Sequence, residues 1–233
     1  MQKTILITGG SGGIGRACAR LLVENGHRVI LVARGEEGLA RASQDIPTHQ
    51  ILTIRADVTR AKEVDRMVAE ALAWSDRIDV LINNAGAAFT GLVETFPVEQ
   101  WQRLLDTNLT SVFLCCRALI PVMKRQGEGH IVNMASVASK FTPPEWAPYC
   151  ATKFGLVGLS RALHEEVRKD GIRVTLLYPG SVDTPLWDTF PNNFKRDAMM
   201  SADDVARAVL YTIEQPRHIV VDELSFIQAA GLQ

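Results

Sequence analysis

The chain has 233 residues, of which 47% are apolar and 22% are charged, and its formal net charge is −1. This length and apolar content suit one domain with a large core, spanning residues 1–233. A near-neutral chain without a basic stripe interleaved with aromatic residues is not expected to bind nucleic acid. No apolar run reaches the roughly 18 residues that cross a bilayer, so no membrane partner is expected either.

Short apolar runs alternate with segments of helical periodicity along nearly the whole chain. In chain order they predict strand 4–7, helix 13–25, strand 28–33, helix 36–44, strand 51–55, helix 61–74, strand 79–82, helix 98–124, strand 130–135, helix 147–169, strand 173–178, helix 202–214 and strand 218–221. Apolar strands that alternate with helices indicate parallel strands covered on both faces. We therefore predict an α/β fold, a doubly wound parallel sheet of the Rossmann type flanked by helices in a single domain.

One long stretch, residues 181–201, lacks clear periodicity and contains several prolines and large aromatic residues. Long loops in compact domains are usually functional, and this one is predicted to cover a substrate. It holds Pro185, Trp187, Phe190, Pro191 and Phe194. The alternative is a surface excursion that carries a small hydrophobic cluster of its own.

A glycine-rich turn, TGGSGGIG at residues 8–15, follows the first strand and opens the first helix. Glycines permit positive φ and close approach of a phosphate, and a helix N-terminus offers free N–H groups. At this position the turn predicts a bound dinucleotide, whereas a plain strand-to-helix turn is the alternative. The residues expected to line the phosphates are Gly9, Ser11, Gly12, Gly13, Ile14 and Gly15.

A tyrosine and a lysine, Tyr149 and Lys153, stand four residues apart in a predicted helix, about one turn apart on one face. A nearby ammonium lowers the pKa of a tyrosine from its ordinary value of about 10 and lets it exchange a proton with an alcohol or ketone. Ser136, at the end of a predicted strand, could hydrogen-bond the substrate oxygen. A plain surface pair of Tyr149 and Lys153 is the alternative for the two residues alone.

Several motifs together resemble the short-chain dehydrogenase/reductase family. Gly9, Gly13 and Gly15 match TGxxxGxG, residues 83–86 read NNAG, and residues 179–184 match PGxVxT. That family uses Asn, Ser, Tyr and Lys in this order, and the matching positions are Asn108, Ser136, Tyr149 and Lys153. The resemblance extends from about residue 4 to residue 221.

The resemblance implies an oxidoreductase that interconverts a ketone or aldehyde and an alcohol, with Tyr149 as general acid and base. It implies that Asn108 lies at a helix distortion and anchors a water that relays protons, and that Lys153 holds the nicotinamide ribose. It also implies that Asp57 and Val58 contact the adenine. The remaining residues implied to line the cofactor are Asn84, Ala85, Gly86, Pro179, Gly180, Val182 and Thr184.

Cofactor preference depends on the end of the second predicted strand, where Ala33 precedes Arg34. An acidic residue there would bind the ribose hydroxyls of NAD, whereas an arginine can pair with the 2′-phosphate of NADP. We therefore favour NADP(H), with NAD(H) as the alternative. Gly12 weakens this choice, because many NADP-using relatives carry a basic residue there.

The substrate is left open by the sequence. A 3-oxoacyl-thioester reductase and a hydroxy-amino-acid dehydrogenase are alternatives within the enzyme class, and a non-catalytic cofactor sensor on the same fold is an alternative outside it. Residues 141–148 are expected to form an apolar part of the pocket beside Tyr149. The resemblance also implies a homodimer or homotetramer in which the helices at 98–124 and 147–169 pair.

The spacing of the cysteines and the position of the first strand-like run predict the cellular compartment. The first strand-like run begins at Lys3, so we expect no signal peptide and a cytoplasmic protein. The cysteines form no CxxC pair and the five histidines show no ligand spacing, so reduced thiols and no bound metal are expected. These cysteines are Cys18, Cys115, Cys116 and Cys150.

Overall fold

The structure is a computed structural model that describes residues 2–190, 194–229 and 231. Its strands are β1 (Thr4–Thr8), β2 (Arg28–Ala33), β3 (Ile51–Arg55), β4 (Val80–Asn83), β5 (Gly129–Met134), β6 (Ile172–Pro179) and β7 (Glu223–Phe226). Its helices are α1 (Gly13–Glu24), α2 (Glu36–Ser43), α3 (Ala61–Ser75), α4 (Val98–Leu105), α5 (Ser111–Gln126), α6 (Ala147–Val167) and α7 (Ala202–Glu214).

The strands form one sheet in the order β3-β2-β1-β4-β5-β6-β7, and every neighbouring pair is parallel. The predicted α/β fold with a doubly wound parallel sheet is confirmed. The chain leaves β1 for one edge of the sheet and returns to the other side of β1 at β4. The carboxyl ends of β1 and β4 therefore border the crevice in which such sheets bind ligands.

Helices cover both faces of the sheet, because successive side chains of a strand point to opposite sides. Leu6 of β1 packs in the core beneath α3, α5 and α6, whereas Ile5 and Ile7 pack in the core beneath α1, α2 and α7. All three are fully buried. Two cores thus hold the strand ends rigidly on both sides.

A buried polar chain links the middle of the sheet to α6. Asn83 donates from Nδ2 to Oδ1 of Asn133 at 2.8 Å, and Asn133 donates from Nδ2 to the hydroxyl of Ser160 at 2.8 Å. The Ser160 hydroxyl donates in turn to the carbonyl of Leu156. Because a buried polar group without a partner costs free energy, this series of hydrogen bonds fixes the position of α6 against β4 and β5.

The final strand is not where the sequence predicts it. The predicted strand 218–221 is wrong, and β7 pairs with β6 from Glu223, which aligns with Leu176. In the segment before β7, backbone carbonyls accept hydrogen bonds from side chains of β6. Arg173 donates to the carbonyl of Ile219, and Thr175 donates to the carbonyl of Val221. Because Ile219 is 41% exposed, its apolar character does not reflect burial in the sheet.

The predicted long helix 98–124 is interrupted. A π-helical turn at Asp106–Thr110 separates α4 from α5, so the periodicity continues across a local distortion. Among the described residues, one continuous helical stretch, Val98–Gln126, is long and apolar enough to cross a membrane by length and composition alone, a test that core helices also pass. Its residues Val112, Leu119 and Met123 are buried in the core.

Candidate active site

A cavity of about 960 Å³ opens at the carboxyl ends of the strands. The cavity is lined by the turns that follow β1 to β5 and by the long loop that follows β6. Most residues singled out by the sequence border it: Gly9, Ser11, Gly12, Gly13, Ile14, Arg34, Asp57, Val58, Asn84, Ala85, Gly86, Ser136, Tyr149, Lys153, Pro179, Gly180, Val182 and Thr184. Gly15 and Asn108 do not border it and lie behind its lining.

The glycine-rich turn has the shape that its composition predicts. Gly9 has φ +68°, and a Cβ there would lie 2.9 Å from the Cα of Ala85. Gly15 is buried, and a Cβ there would lie 2.4 Å from the carbonyl oxygen of Gly9. Gly12, in contrast, has no atom within 4 Å of the place where its Cβ would be. The first two glycines are required by close packing, whereas Gly12 leaves space open at the start of α1.

The turn is held from β4 by Asn84 and from β1 by Thr8. Asn84 donates from Nδ2 to the carbonyls of Thr8 and Gly9, and the Thr8 hydroxyl accepts from the N–H groups of Asn84 and Ala85. The second asparagine of NNAG therefore braces the glycine turn while it also borders the cavity. Thr8 is a residue of this site that the sequence analysis did not single out, although it begins TGGSGGIG.

At the far end of the cavity Arg34 and Asp57 follow β2 and β3. The Asp57 carboxylate accepts from the N–H and the hydroxyl of Thr59 at 3.1 and 2.8 Å. Burial raises the pKa of Asp57, but these hydrogen bonds and the charges of Arg34 and Arg60 outweigh it and leave the pKa below its ordinary value. Asp57 thus holds the local turn through Thr59 while it also lines the cavity.

The loop after β6 meets the glycine turn across the cavity. A Cβ on Gly13, where φ is +49°, would lie 3.2 Å from the side chain of Thr184. Gly180 is close-packed in the same way, since a Cβ there would lie 2.8 Å from Oε1 of Gln228. The PGxVxT segment and TGGSGGIG are therefore brought face to face.

Ser136, Tyr149 and Lys153 converge beside the end of β5. Lys153 is 94% buried, and its ammonium group donates to the carbonyl oxygen of Met134 at 2.8 Å. It lies 5.7 Å from the centre of the Tyr149 ring. Ser136 also accepts from the N–H of Ala138, which fixes the rotamer of its hydroxyl within a short helical turn.

The pKa of Tyr149 differs from the lowered value that its spacing from Lys153 predicts. Burial raises the pKa of Tyr149 to about 12, against the lowering effect of a hydrogen bond with Ser136. Burial also lowers the pKa of Lys153 to about 8. The expected lowering of the tyrosine pKa by its lysine neighbour is wrong for these side chains alone, because Lys153 points at Met134 and burial disfavours the phenolate.

Asn108 lies in the π-helical turn, so the implied helix distortion is present. Its side chain is buried, accepts from the N–H of Ala87 at 2.8 Å, and donates to the carbonyl of Ala87 and to the hydroxyl of Thr152. Thr152 donates to the carbonyl of Tyr149. The amide of Asn108 therefore ties the turn after β4 to the start of α6, and its side chain does not face the cavity.

The long loop after β6 reaches over the cavity with its aromatic residues. Trp187, Phe190 and Phe194 line the cavity together with Trp146, which precedes α6. Pro191 and the rest of 191–193 lie outside the described residues. Phe89, from the segment after β4, is a lining residue that the sequence analysis missed, since nothing in its local pattern separates it from an ordinary loop residue.

The site fits a dinucleotide on its own geometry. The start of α1 has no side-chain cap, so its first N–H groups are free to meet a phosphate beside the open space at Gly12. Arg34 lines the same cavity and makes no ion pair or hydrogen bond with the described residues. The groups available are thus those that a phosphate-containing cofactor requires.

Comparison with known proteins agrees with this geometry. The family model for short chain dehydrogenases matches residues 3–193. An uncharacterized oxidoreductase of Staphylococcus haemolyticus is 33% identical over 223 residues, which covers 96% of each chain. The chain belongs to the short-chain dehydrogenase family and is an oxidoreductase of that family.

Two solved structures illustrate the likeness. A 3-ketoacyl-(acyl-carrier-protein) reductase from Brucella melitensis, complexed with NADH, is 30% identical with a TM-score of 0.90 and 97% coverage of both chains. An alcohol dehydrogenase from Thermococcus sibiricus, complexed with 5-hydroxy-NADP, is 28% identical with a TM-score of 0.92, covering 100% of this chain and 99% of that one. Both similar proteins therefore bind nicotinamide cofactors.

Proposed function

We propose that this chain is an NADP(H)-dependent oxidoreductase that interconverts a ketone or aldehyde and an alcohol, with Tyr149 as general acid and base. The observation that carries the proposal is the convergence of Ser136, Tyr149 and Lys153 in the same cavity that the glycine turn lines. An acid, a hydrogen-bond donor and a phosphate-binding turn in one cavity are the parts that carbonyl reduction needs.

The reaction is balanced by one hydride and one proton. When bound, NADPH would supply the hydride, with both electrons, that the carbonyl carbon accepts. The Tyr149 hydroxyl gives its proton to the carbonyl oxygen, and solvent returns a proton to the phenolate. Because burial raises the pKa of Tyr149 to about 12, the side chain carries its proton at neutral pH.

Ser136 and Lys153 have supporting parts in this proposal. The Ser136 hydroxyl stands beside Tyr149 and holds the substrate oxygen. Lys153 is anchored at the Met134 carbonyl by one of its three N–H groups, so two remain for the nicotinamide ribose and for the phenol. Asn108 positions the turn at Ala87 and the start of α6, so we propose a positioning part for its side chain.

NADP(H) is proposed over NAD(H) because Arg34 has no protein partner by hydrogen bond or ion pair in the described part of the chain and lines the cavity. No carboxylate follows β2 directly, where it would repel a 2′-phosphate. Asp57, one strand further, is engaged by Thr59. The bound NADP derivative of the similar Thermococcus structure supports this preference, and the bound NADH of the Brucella structure supports the alternative.

The proposal is tested by measuring NADPH oxidation with a panel of ketones and aldehydes. Tyr149→Phe should reduce kcat by at least roughly 10²-fold, since a general acid contributes about that much or more. Tyr211→Phe, which alters an exposed tyrosine outside the cavity, is the matched control. Turnover by Tyr149→Phe at the rate of the control would overturn the role of Tyr149, and no turnover of any carbonyl compound would favour a non-catalytic cofactor sensor.

We also propose that the protein forms a homodimer or homotetramer through α5 and α6. Phe113 on α5 and Phe154 on α6 are 50% and 47% exposed, which leaves two large aromatic side chains on adjacent helices facing out of the fold. Light scattering tests this proposal. A particle of the 25.6 kDa monomer mass would contradict it.

A further inference from the structure

Four aromatic side chains, Trp146, Trp187, Phe190 and Phe194, form a continuous aromatic cluster at the substrate end of the cavity. The ring centres of Trp146 and Phe190 are 5.7 Å apart with planes inclined by 17°, and those of Trp187 and Phe194 are 4.6 Å apart. Trp187 also contacts Phe190 at 5.4 Å. The cluster therefore presents a broad π surface to the cavity.

The aromatic cluster extends to the proposed acid. Trp146 and Tyr149 make an edge-to-face contact, with ring centres 5.5 Å apart and planes inclined by 78°. A carbonyl oxygen within hydrogen-bonding distance of the Tyr149 hydroxyl thus places its substituent next to Trp146. The group attached to the reacting carbon, rather than a distant part of the substrate, meets the aromatic surface.

The cluster is held in place by hydrogen bonds and ion pairs of its own loop. Trp187 donates from Nε1 to the carbonyl of Val182 at 2.8 Å. Arg196 pairs with both Asp183 and Asp188, and so spans the loop that carries Trp187. A surface fixed before binding costs the ligand less ordering than one that must be assembled around it.

Trp146 is fixed by the backbone that precedes it. Glu145 has φ +67°, an unusual conformation for a residue with a side chain, and its carbonyl accepts from the N–H of Gly91 at 2.8 Å. Such a conformation costs free energy and persists where the surrounding structure requires it. It turns the chain so that the indole enters the cavity one turn before Tyr149.

Charge is scarce at this end of the cavity. Among the described residues that line it, the charged ones are Arg34, Asp57, Arg103 and Lys153. Arg34 and Asp57 lie at the ends of β2 and β3, and Arg103 also borders the smaller pocket that contains Arg34 and Thr59. Lys153 is bonded to Met134. Among the described lining residues, no cation other than Lys153, whose N–H groups are assigned above to Met134, the ribose and the phenol, is therefore left beside the aromatic cluster to hold a carboxylate or a phosphopantetheine phosphate.

We infer that the substrate is a neutral ketone or aldehyde with an aryl group on the reacting carbon, or the corresponding benzylic alcohol, with its ring packed on Trp146 and Phe190. The inference rests on the proposed function. Ring contacts with defined geometry distinguish an aryl group from a saturated ring of the same size. A keto acid is disfavoured because no free cation among the described lining residues would pair with its carboxylate at the aromatic cluster. Of the two alternatives within the enzyme class, an amino acid is charged itself, and an acyl-thioester carries its charge on the phosphate of its phosphopantetheine.

The experiment compares kcat/KM at saturating NADPH for acetophenone, for cyclohexyl methyl ketone with the same carbon skeleton, and for phenylglyoxylate, in which a carboxylate replaces the methyl group. We expect acetophenone to exceed each of the others by about 10-fold, the selectivity that one or two aromatic contacts confer. Trp146→Leu and Phe190→Leu should bring the ratio of the two neutral ketones close to one. Trp146→Phe should keep most of the preference, and Tyr211→Leu, outside the cavity, should keep all of it.

The outcomes separate the inference from the proposed function. Equal kcat/KM for both neutral ketones, or a preference for phenylglyoxylate, overturns the inference while the reductase activity stands. Turnover of no carbonyl compound by a protein that binds NADPH overturns both. A ratio unchanged in Phe190→Leu and Trp146→Leu overturns the assignment of the aromatic cluster, provided that circular dichroism shows both variants folded.

Discussion

The ammonium group of Lys153 donates a 2.8 Å hydrogen bond to the carbonyl oxygen of Met134, the last residue of β5. This bond joins α6 to the strand end from which Ser136 emerges two residues later. Because Tyr149 lies one turn before Lys153 on the same helix, the bond fixes the distance between the phenol and Ser136. A lysine has three N–H donors, so it can hold this anchor and still meet a cofactor.

The charge of Lys153 should set the alkaline limit of the reaction. Burial lowers the pKa of Lys153 to about 8, so its ammonium is present below that pH and is lost as the pH rises through it. Tyr149 stays protonated over this range, since its pKa is about 12. We expect kcat/KM for ketone reduction to fall with a midpoint near pH 8. Lys153→Arg, whose guanidinium stays charged, should remove that fall.

Steady-state pH profiles measure this effect, with Lys169→Met as a control that removes an exposed lysine of the same protein. The control should keep the wild-type profile. A fall at the same pH in Lys153→Arg would show that another group is responsible.

Arg34 should decide between the two nicotinamide cofactors. Removing its guanidinium with Arg34→Leu should weaken NADPH binding by about 10- to 100-fold, the usual effect of losing one charge-assisted hydrogen bond, and should leave NADH binding nearly unchanged. Fluorescence titration of both cofactors gives the two Kd values. Arg41→Leu on α2, an exposed arginine outside the cavity, is the control. Equal losses for NADPH and NADH in Arg34→Leu would contradict the proposed contact.

Two neighbouring glycines should respond in opposite ways to the same substitution. Gly15→Ala places a Cβ 2.4 Å from the carbonyl of Gly9 and should lower the free energy of unfolding by about 1–3 kcal/mol. Gly12→Ala meets no atom of the protein within 4 Å and should leave stability unchanged. It should nevertheless weaken NADPH binding, because its methyl group enters the space beside the free N–H groups of α1.

Chemical denaturation and cofactor titration separate these two effects. Normal NADPH affinity in Gly12→Ala would place the phosphates elsewhere. Full stability in Gly15→Ala would mean that the turn can shift without cost.

Acid should destabilise the fold through His130. Burial, aided by the charges of Arg173 and Lys3, lowers the pKa of His130 well below its ordinary value. Its Nε2 bonds the hydroxyl of Thr175, which itself donates to Val221, so the imidazole is neutral with its proton on Nε2. The unfolded chain binds a proton near pH 6.5 and the folded chain does not, so stability is present above that pH and is lost as the pH falls below it.

The measurement is the free energy of unfolding between pH 7 and pH 5. His130→Gln should flatten its decline by up to about 1.4 kcal/mol per pH unit, the effect of one proton. His49→Gln, at an exposed histidine, should leave the decline as it is. An equal decline in His130→Gln would assign the acid sensitivity to other groups, such as His27, whose pKa burial also lowers.

The sequence predicted the fold well because central strands such as β1 and β4 are buried along their whole length, and a segment of helical periodicity separates each strand from the next. It failed at the last strand, where an apolar run at 218–221 is exposed and its carbonyls are bonded by Arg173 and Thr175 from β6. The local sequence pattern does not reveal that Arg173 and Thr175 bond carbonyls of residues 218–221. Tertiary contacts decided which of two adjacent segments joined the sheet.

Within the site, the motifs predicted which residues come together but not what each one touches. Asn84 was expected to line the cofactor, and it also braces the glycine turn. The pKa of Tyr149 was expected to fall, and burial raises it, because charge spacing is visible in a sequence whereas desolvation depends on the finished fold. Phe89 and the ring geometry of the aromatic cluster had no local signal at all.

Gly13 lies so close to Thr184 that a Cβ on it would be 3.2 Å from that side chain, so the beginning of the chain meets a segment far along it. A nascent or truncated chain that lacks the second segment can form the glycine turn but cannot close the cavity over it. Cofactor affinity is thus coupled to the cooperative folding of the entire sheet. Because a ligand stabilises only the state that binds it, the cellular supply of the cofactor should help to set how long this protein survives proteolysis.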